Sequence, residues 1–403
     1  MRVYNNIICL NYDNILADRN QGLLTSFLTG QKILSIQFIH ISKKRVGCPN
    51  LLSFLFLFLS IYYYNDLKLK EEINMSYADT LFVKNCYNII HHGMSDEGFN
   101  VRPKWDDDTQ AHTKKILYAV DRYTLSKDSI PVMTLRKTGF KNAIDEILWI
   151  YQKKTSKLSE LHSHIWDSWD VGNGTIGKAY GYQIGKKSQY KDPDGSIVMR
   201  DQIDQVIWDL KNNPASRSIL TNTYCHEDLH AMGLRPCAYM MTFNVTKDPS
   251  DGSLVLNGML NQRSQDMLTA NNWNTVQYSV LLQMIAQVCE MKPGKFVHVV
   301  ADMHIYDRHI PIVQKMIDNY VASVYNHIED SDKEYLNNQI KANTLEEKLI
   351  FGPSVINTDI IPHPNPKFWI NPNIHNFYDF TVNDFKLIDY EYEPFDYKIP
   401  VAI

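Results

Sequence analysis

Leu234-Arg235-Pro236-Cys237-Ala238-Tyr239-Met240-Met241-Thr242-Phe243-Asn244-Val245 reads as a loop entering a β-strand. Asp248-Pro249-Ser250-Asp251-Gly252 follows, and its Asp-Gly pair is a hairpin turn signal. Ser253-Leu254-Val255-Leu256-Asn257-Gly258-Met259-Leu260-Asn261-Gln262-Arg263-Ser264 then runs back as a second strand. Folding the stretch symmetrically about Ser250 sets Cys237 opposite Arg263, within side-chain reach on adjacent strands. A thiol reacts as its thiolate, which a nearby guanidinium favours, and the same guanidinium is a natural fork for phosphate. Taken alone, the pair reads more readily as a small core cysteine beside a surface arginine.

Ordered motifs on both sides decide between these readings. Downstream come Arg263-Ser264-Gln265-Asp266-Met267, Asn274 and Asp302-Met303-His304-Ile305-Tyr306. Upstream lie Glu146-Ile147-Leu148-Trp149, Ile165-Trp166-Asp167-Ser168-Trp169, Gly174-Thr175-Ile176-Gly177-Lys178-Ala179-Tyr180-Gly181, and Asp201 to Arg217. The chain closes on Pro400-Val401-Ala402-Ile403. In this order they resemble the folate-dependent thymidylate synthase family, from about residue 75 to residue 403.

Residues 1–74 stand apart. Leu51-Leu52-Ser53-Phe54-Leu55-Phe56-Leu57-Phe58-Leu59-Ser60-Ile61 is strongly apolar, and no charge falls between Arg45 and Asp66, close to the length that spans a bilayer. Lys43, Lys44 and Arg45 precede it, which would put the remainder of the chain outside the cytoplasm, away from nucleotide and reduced folate. The forty-odd mixed residues ahead of it do not suit a cleaved signal either. The expectation is that translation starts at Met75, with Lys70-Glu71-Glu72 encoded by a purine-rich ribosome-binding run and residues 1–74 a translated leader or a disordered, non-native N-terminal extension. Residues 75–403 form the catalytic domain, with a surface insertion at about 322–360 around Glu329-Asp330-Ser331-Asp332-Lys333-Glu334.

Composition fits a cytoplasmic enzyme. Hydrophobic content of 44%, 21% charged residues and a net charge of −4 are ordinary for a soluble domain and give no footprint for nucleic acid. Any phosphate site is therefore local. The six cysteines hold no Cys-x-x-Cys pair, and Cys289 falls in an apolar helical stretch. Among fourteen histidines there is no zinc-protease run; His226 and His230 beside Cys225 read as loop residues, so no metal is expected.

From residue 75 onward, periodicity predicts helices near 76–93, 139–155, 201–212, 274–290 and 307–325. It predicts strands near 117–124, 216–224, 238–246, 253–264, 297–306 and 385–392. Strands come in runs, so the fold class is α+β: one mixed domain with a large sheet flanked by helices. The resemblance adds a thymidylate-synthase-like fold and a homodimer formed through the sheet.

The resemblance also implies the chemistry, which is methylation of dUMP to dTMP. The carbon and hydride come from 5,10-methylenetetrahydrofolate, leaving dihydrofolate. Cys237 attacks carbon 6 of the pyrimidine and turns carbon 5 into a nucleophile. Glu146, in an apolar helical stretch, is the proton relay through water, its pKa raised by burial. Tyr180 assists deprotonation at carbon 5. Arg102, Arg263 and Ser264 bind the phosphate with Arg217, delivered from the partner subunit. Asn274 pairs with the uracil edge, a place where a carboxylate would suit cytosine. His304 and Tyr306 share a strand face and bind the sugar hydroxyl. Asp266 serves nucleotide and pterin, Trp166 and Trp169 offer flat apolar surface to the folate, and Arg136 stands where the family has a lysine near the folate tail. The Ala402-Ile403 terminus is the closing latch.

Two positions depart from the usual family pattern. Arg217-Ser218 replaces two adjacent arginines, which bears on phosphate affinity and not on the nucleophile; Ala238 replaces a common histidine. Two alternatives compete with the synthase reading. A pyrimidine nucleotide hydroxymethylase would quench the same intermediate with water. A degraded paralogue would bind nucleotide or RNA without turnover, but intact Cys237, Glu146, Tyr180 and Arg263 argue against it.

Overall fold

The computed structural model describes residues 2–4, 7–9, 77–327 and 366–402, with side chains at 78–322 and 366–402. Met75, the apolar run 51–61, most of the 322–360 insertion and Ile403 lie outside the described residues. The chain separates into two units, Met1–Glu71 and Glu72–Ile403. In the first, β1 (Arg2–Tyr4) pairs antiparallel with β2 (Ile7–Cys9).

The second unit is built around one mixed sheet. Its strands are β3 (Met94–Ser95), β4 (Thr113–Thr124), β7 (Leu220–Asn222), β8 (Ala238–Lys247), β9 (Leu254–Gln262), β10 (Gln265–Asp266) and β11 (Lys292–Tyr306). The order is β3-β4-β11-β9-β8-β7, with β10 also on β11. β11 runs parallel to β9 and antiparallel to β4, so it is the spine of the sheet. The helices are α1 (Tyr77–His92), α2 (Phe140–Tyr151), α3 (Gly181–Gly185), α4 (Gln202–Asn212), α5 (Asn271–Val288) and α6 (Ile310–His327). Between β9 and β11 the chain crosses over through α5, a helix apolar on several faces and buried along most of its length, as a central helix must be. Ile144, Ile147 and Leu148 of α2 join Leu281, Leu282 and Ile285 of α5 in one apolar core. Phe82 and Val83 of α1 join Val313 and Ile317 of α6 and Ile305 of β11 in a second. The expected α+β class, a large sheet flanked by helices, is the observed one.

The β8–β9 hairpin holds a register detail the sequence did not show. From Lys247↔Leu254 to Met240↔Asn261 the pairing is one residue off the symmetric fold about Ser250. A bulge at Tyr239 then absorbs the extra residue and restores Ala238↔Gln262. The Arg263 amide donates to the Cys237 carbonyl at 2.9 Å, so the two residues meet as the symmetric fold requires. Gly252 closes the turn at φ 75°, a left-handed value that glycine adopts freely. Lys292 bonds Asp248 and Asp251 across it at 2.8 and 2.7 Å.

Other boundaries also moved. α5 starts at Asn271 rather than 274, which puts Asn274 in its first turn. The expected 216–224 strand shrinks to β7 because a turn, Ser216 N–H to Asn213 O at 3.0 Å, precedes it. His226 and His230 lie in a short 3₁₀ helix, His226–Ala231, rather than in loop. Cys289 caps the end of α5, mostly buried. The small hairpin β5 (Ser188–Lys191)–β6 (Ile197–Arg200) and the pair β12 (Lys367–Ile370)–β13 (Phe385–Ile388) include strands the periodicity missed. No helix among the described residues is long and apolar enough to cross a membrane.

Candidate active site

Cys237 immediately precedes β8 and Arg263 immediately follows β9, so the hairpin carries both to one end of the sheet. Arg263 Nη2 lies 3.5 Å from Cys237 Sγ. The guanidinium is held in place by the backbone: Nε donates to Pro236 O at 3.0 Å and Nη2 to Arg235 O at 2.7 Å. Burial pushes the Cys237 thiol up, and Arg263, Arg102 and the Tyr180 hydroxyl pull it partly back. The guanidinium effect expected from the sequence is present, but desolvation outweighs it.

Tyr180 reaches the backbone of the nucleophile. The Cys237 backbone N–H donates to its hydroxyl oxygen at 2.9 Å. Its backbone is at φ 43°, ψ −102°, a costly conformation for a non-glycine residue that the surrounding packing must hold. The next residue, Gly181, lies so close to Thr155 that a Cβ there would meet Thr155 O at 2.2 Å. No side chain fits, and the glycine fixes where Tyr180 begins α3.

Glu146 projects from α2 into a fully buried cage. Trp166 Nε1 donates to Oε1 at 2.9 Å and Trp273 Nε1 to Oε2 at 2.6 Å. Desolvation pushes its pKa up to about 7, with the two indoles and Gln277 pulling down. Trp166 thus spends its N–H on Glu146, and its ring packs edge-on to Trp169 at 5.4 Å and Tyr180 at 5.1 Å. At 8% exposure it has little face free for a ligand, unlike the open apolar surface expected of it. Trp169 differs: its Nε1 is buried and has no hydrogen-bond partner among the described residues. Sequence reasoning missed Trp273 and Gln277. Their i, i+4 spacing on α5, flanking Asn274, was the available signal.

The opposite wall comes from β10 and β11. Asp266 pairs in register with His304. Its carboxylate accepts from Leu268 N, Thr269 N and Thr269 Oγ1 at 2.9, 3.2 and 2.6 Å. His304 Nδ1 lies 2.9 Å from Asp302, and its ring meets Tyr306 edge-on at 5.2 Å. Burial pushes Tyr306 up to about 12; Asp266, Arg102 and Cys237 are all near enough to act on it. Ser264 lies between Arg263 and β10. Arg102 is exposed on a loop, yet its charge reaches both Cys237 and Tyr306.

Arg136 is drawn into the far side of the site. Its Nη2 donates to Leu268 O, its Nε is buried without a partner among the described residues, and burial lowers its pKa. It lines a cleft of about 200 Å³ with Thr138, Gly139, Trp273, Ile399 and Val401. Ile399 and Val401 are therefore at the cleft; between them Pro400 O accepts from His309 Nε2 at 2.7 Å, and Ala402 is half-buried. Arg217 is the residue this chain does not bring in. It is exposed and lies three residues before Leu220, itself paired with Thr242, which is roughly 16 Å along β8 from Cys237 at strand spacing.

A mixed-sheet enzyme equipped for covalent catalysis is the class this fold and cluster define: a thiol beside a guanidinium, a phenol bonded to the thiol residue's backbone, and a caged carboxylate able to trade protons near neutrality. The chain belongs to the thymidylate synthase family, whose sequence profile matches residues 80–345. It is 39% identical to the thymidylate synthase of Bacillus licheniformis, over 79% of this chain and 96% of that protein. It is 37% identical to thymidylate synthase 1 of Bacillus subtilis over the same shares. Among solved structures it is similar to thermostable thymidylate synthase A from Bacillus subtilis. The TM-score is 0.64 at 34% identity, covering 81% of this chain and 99% of that one.

Proposed function

We infer that this chain methylates dUMP to dTMP in the cytoplasm, with 5,10-methylenetetrahydrofolate as co-substrate. The observation that carries the reading is Cys237 Sγ held 3.5 Å from a backbone-braced Arg263, in a chain of this family. Nucleotide phosphate brought to Arg263, Ser264 and Arg102 sets the pyrimidine over Cys237, with Asn274 at its edge and His304 and Tyr306 at its sugar. The thiolate adds to carbon 6, and the electron pair released moves to carbon 5 and its carbonyl. The folate, when bound, supplies the one-carbon unit and the hydride. Glu146 is suited to move the protons, since a carboxyl with a pKa of about 7 is present in both forms at neutral pH. Tyr180 stands by the nucleophile to assist loss of the carbon 5 proton, and elimination then returns the thiol.

The cleft beside Trp273 and Arg136 suits the folate: it is flanked by an indole, and Arg136 has a buried N–H to offer. Asp266 and Arg136 are the polar contacts of this reading, Trp169 the flat one, and Ala402 with Ile403 the latch that closes over both ligands. Arg217 acts in a second copy's site, because its own Cys237 is out of reach. Incubation with 5-fluorodeoxyuridylate and the folate should give a covalent adduct by intact mass, since fluorine blocks proton loss at carbon 5. Cys237→Ala should give none; an adduct surviving in that variant would remove Cys237 from the mechanism.

A further inference from the structure

An amide that reads a pyrimidine has a weakness. Rotated by half a turn, it exchanges donor and acceptor and can pair with cytosine as readily as with uracil. An asparagine discriminates only if something forbids the flip.

A buried polar chain does so here. Gln262 Nε2 donates to Ser264 O at 2.9 Å, and a carbonyl can only accept, so this contact is one of two, with His298, that together hold the Gln262 amide in one orientation. The same Nε2 donates to Asn274 Oδ1 at 3.1 Å. Gln262 Oε1 therefore faces His298 Nε2 at 2.9 Å, and that nitrogen must carry the proton. His298 is 0% exposed and its Nδ1 has no partner among the described residues. Burial lowers its pKa to about 3, so it stays neutral and keeps this tautomer at any working pH. On the other side Asn274 Nδ2 donates to Gln277 Oε1 at 3.1 Å. Gln277 Nε2, buried and short of a direct hydrogen bond, favours the charged form of Glu146. Every donor thus points one way, from His298 through Gln262, Asn274 and Gln277 towards the carboxylate. Asn274 is left with one N–H and one lone pair, the set that matches the carbonyl and ring N–H of uracil.

We propose that His298, Gln262 and Gln277 are positioning residues that lock the Asn274 amide in its uracil-reading orientation, and so set the preference for dUMP over dCMP. The proposal builds on the reading of Asn274 as the base contact. Neither His298 nor Gln277 need touch the nucleotide, and reversing any link would cost a buried unsatisfied pair.

Calorimetric Kd values for dUMP and dCMP test this on the full chain. His298→Leu removes the terminal donor, and the dUMP preference should fall roughly five- to tenfold, the worth of one buried hydrogen bond. His298→Gln, which can still donate to Gln262, should recover most of it; a merely structural histidine would not be rescued in this way. Gln262→Glu presents only acceptors, should turn Asn274 over, and should erode the preference at least as much; it also serves if His298→Leu does not fold. Asn274→Asp is the control for the underlying reading. If Asn274→Asp shifts the preference while His298→Leu or Gln262→Glu leaves it within twofold of wild type, the lock is overturned. If Asn274→Asp itself changes nothing, the base contact lies elsewhere and both readings fall.

Discussion

Glu146 sets stability against chemistry within a single side chain. Its native pKa of about 7 lies above the ordinary carboxylate value, so the folded state holds this proton more tightly than the unfolded one. Stability from this group is therefore fully present below about pH 4.5, lost as pH rises towards 7, and absent above. Glu146→Gln removes the titration. The variant should gain roughly 2 to 3 kcal/mol relative to wild type between pH 4.5 and 8. Its absolute stability is less informative, because one indole N–H would then face an amide NH₂. Urea unfolding at the two pH values checks this, and an equal difference at both would mean that Glu146 does not ionise in that range. Turnover should fall about 100-fold or more, the usual worth of a positioned acid–base group. Glu146 was legible in the sequence because a carboxylate amid Ile147, Leu148 and Trp149 is anomalous, whereas its indole donors lie 20 and 127 residues away and no local pattern announces them.

At the scale of elements, the start of α2 is fitted to the cage. A Cβ on Gly139 would lie 2.8 Å from Trp273 Cζ3, so Gly139→Ala must push the indole aside and weaken its bond to Glu146. Loss of a donor to the charged form should raise the apparent pKa of Glu146 by about half a unit or more, read as a rightward shift in the pH profile of kcat. An unmoved profile would show that Trp273 does not tune the carboxylate. The hairpin shows where sequence reading ran out at this scale. Alternation and the Asp-Gly turn located both strands, but the bulge at Tyr239 occurs within Tyr239-Met240-Met241, where no glycine marks it. The ends met correctly only because the extra residue cancels the one-residue offset of the turn. Asn271 and Asn272 are weak helix formers, and α5 began before the apolar periodicity did because tertiary burial outweighs that preference.

Across the whole molecule, the proposed role of Arg217 in a second copy's site follows from its distance from its own Cys237. Leu117, Tyr118 and Val120 on β4 and Leu220 on β7 remain 40 to 78% exposed, apolar surface of the kind that supports pairing of two copies through their sheets. Mixing Cys237→Ala with Arg217→Ala chains, each inactive alone, should restore about a quarter of wild-type sites, because each heterodimer carries one intact pair. No rescue, with heterodimer confirmed by mass, would refute the shared site. The most direct test of the whole account is dihydrofolate formation, followed by absorbance, from dUMP and 5,10-methylenetetrahydrofolate. Wild-type protein should release one dihydrofolate per dTMP, and Cys237→Ala should release none. Turnover to a hydroxymethylated nucleotide without dihydrofolate, or undiminished synthesis by Cys237→Ala, would contradict it.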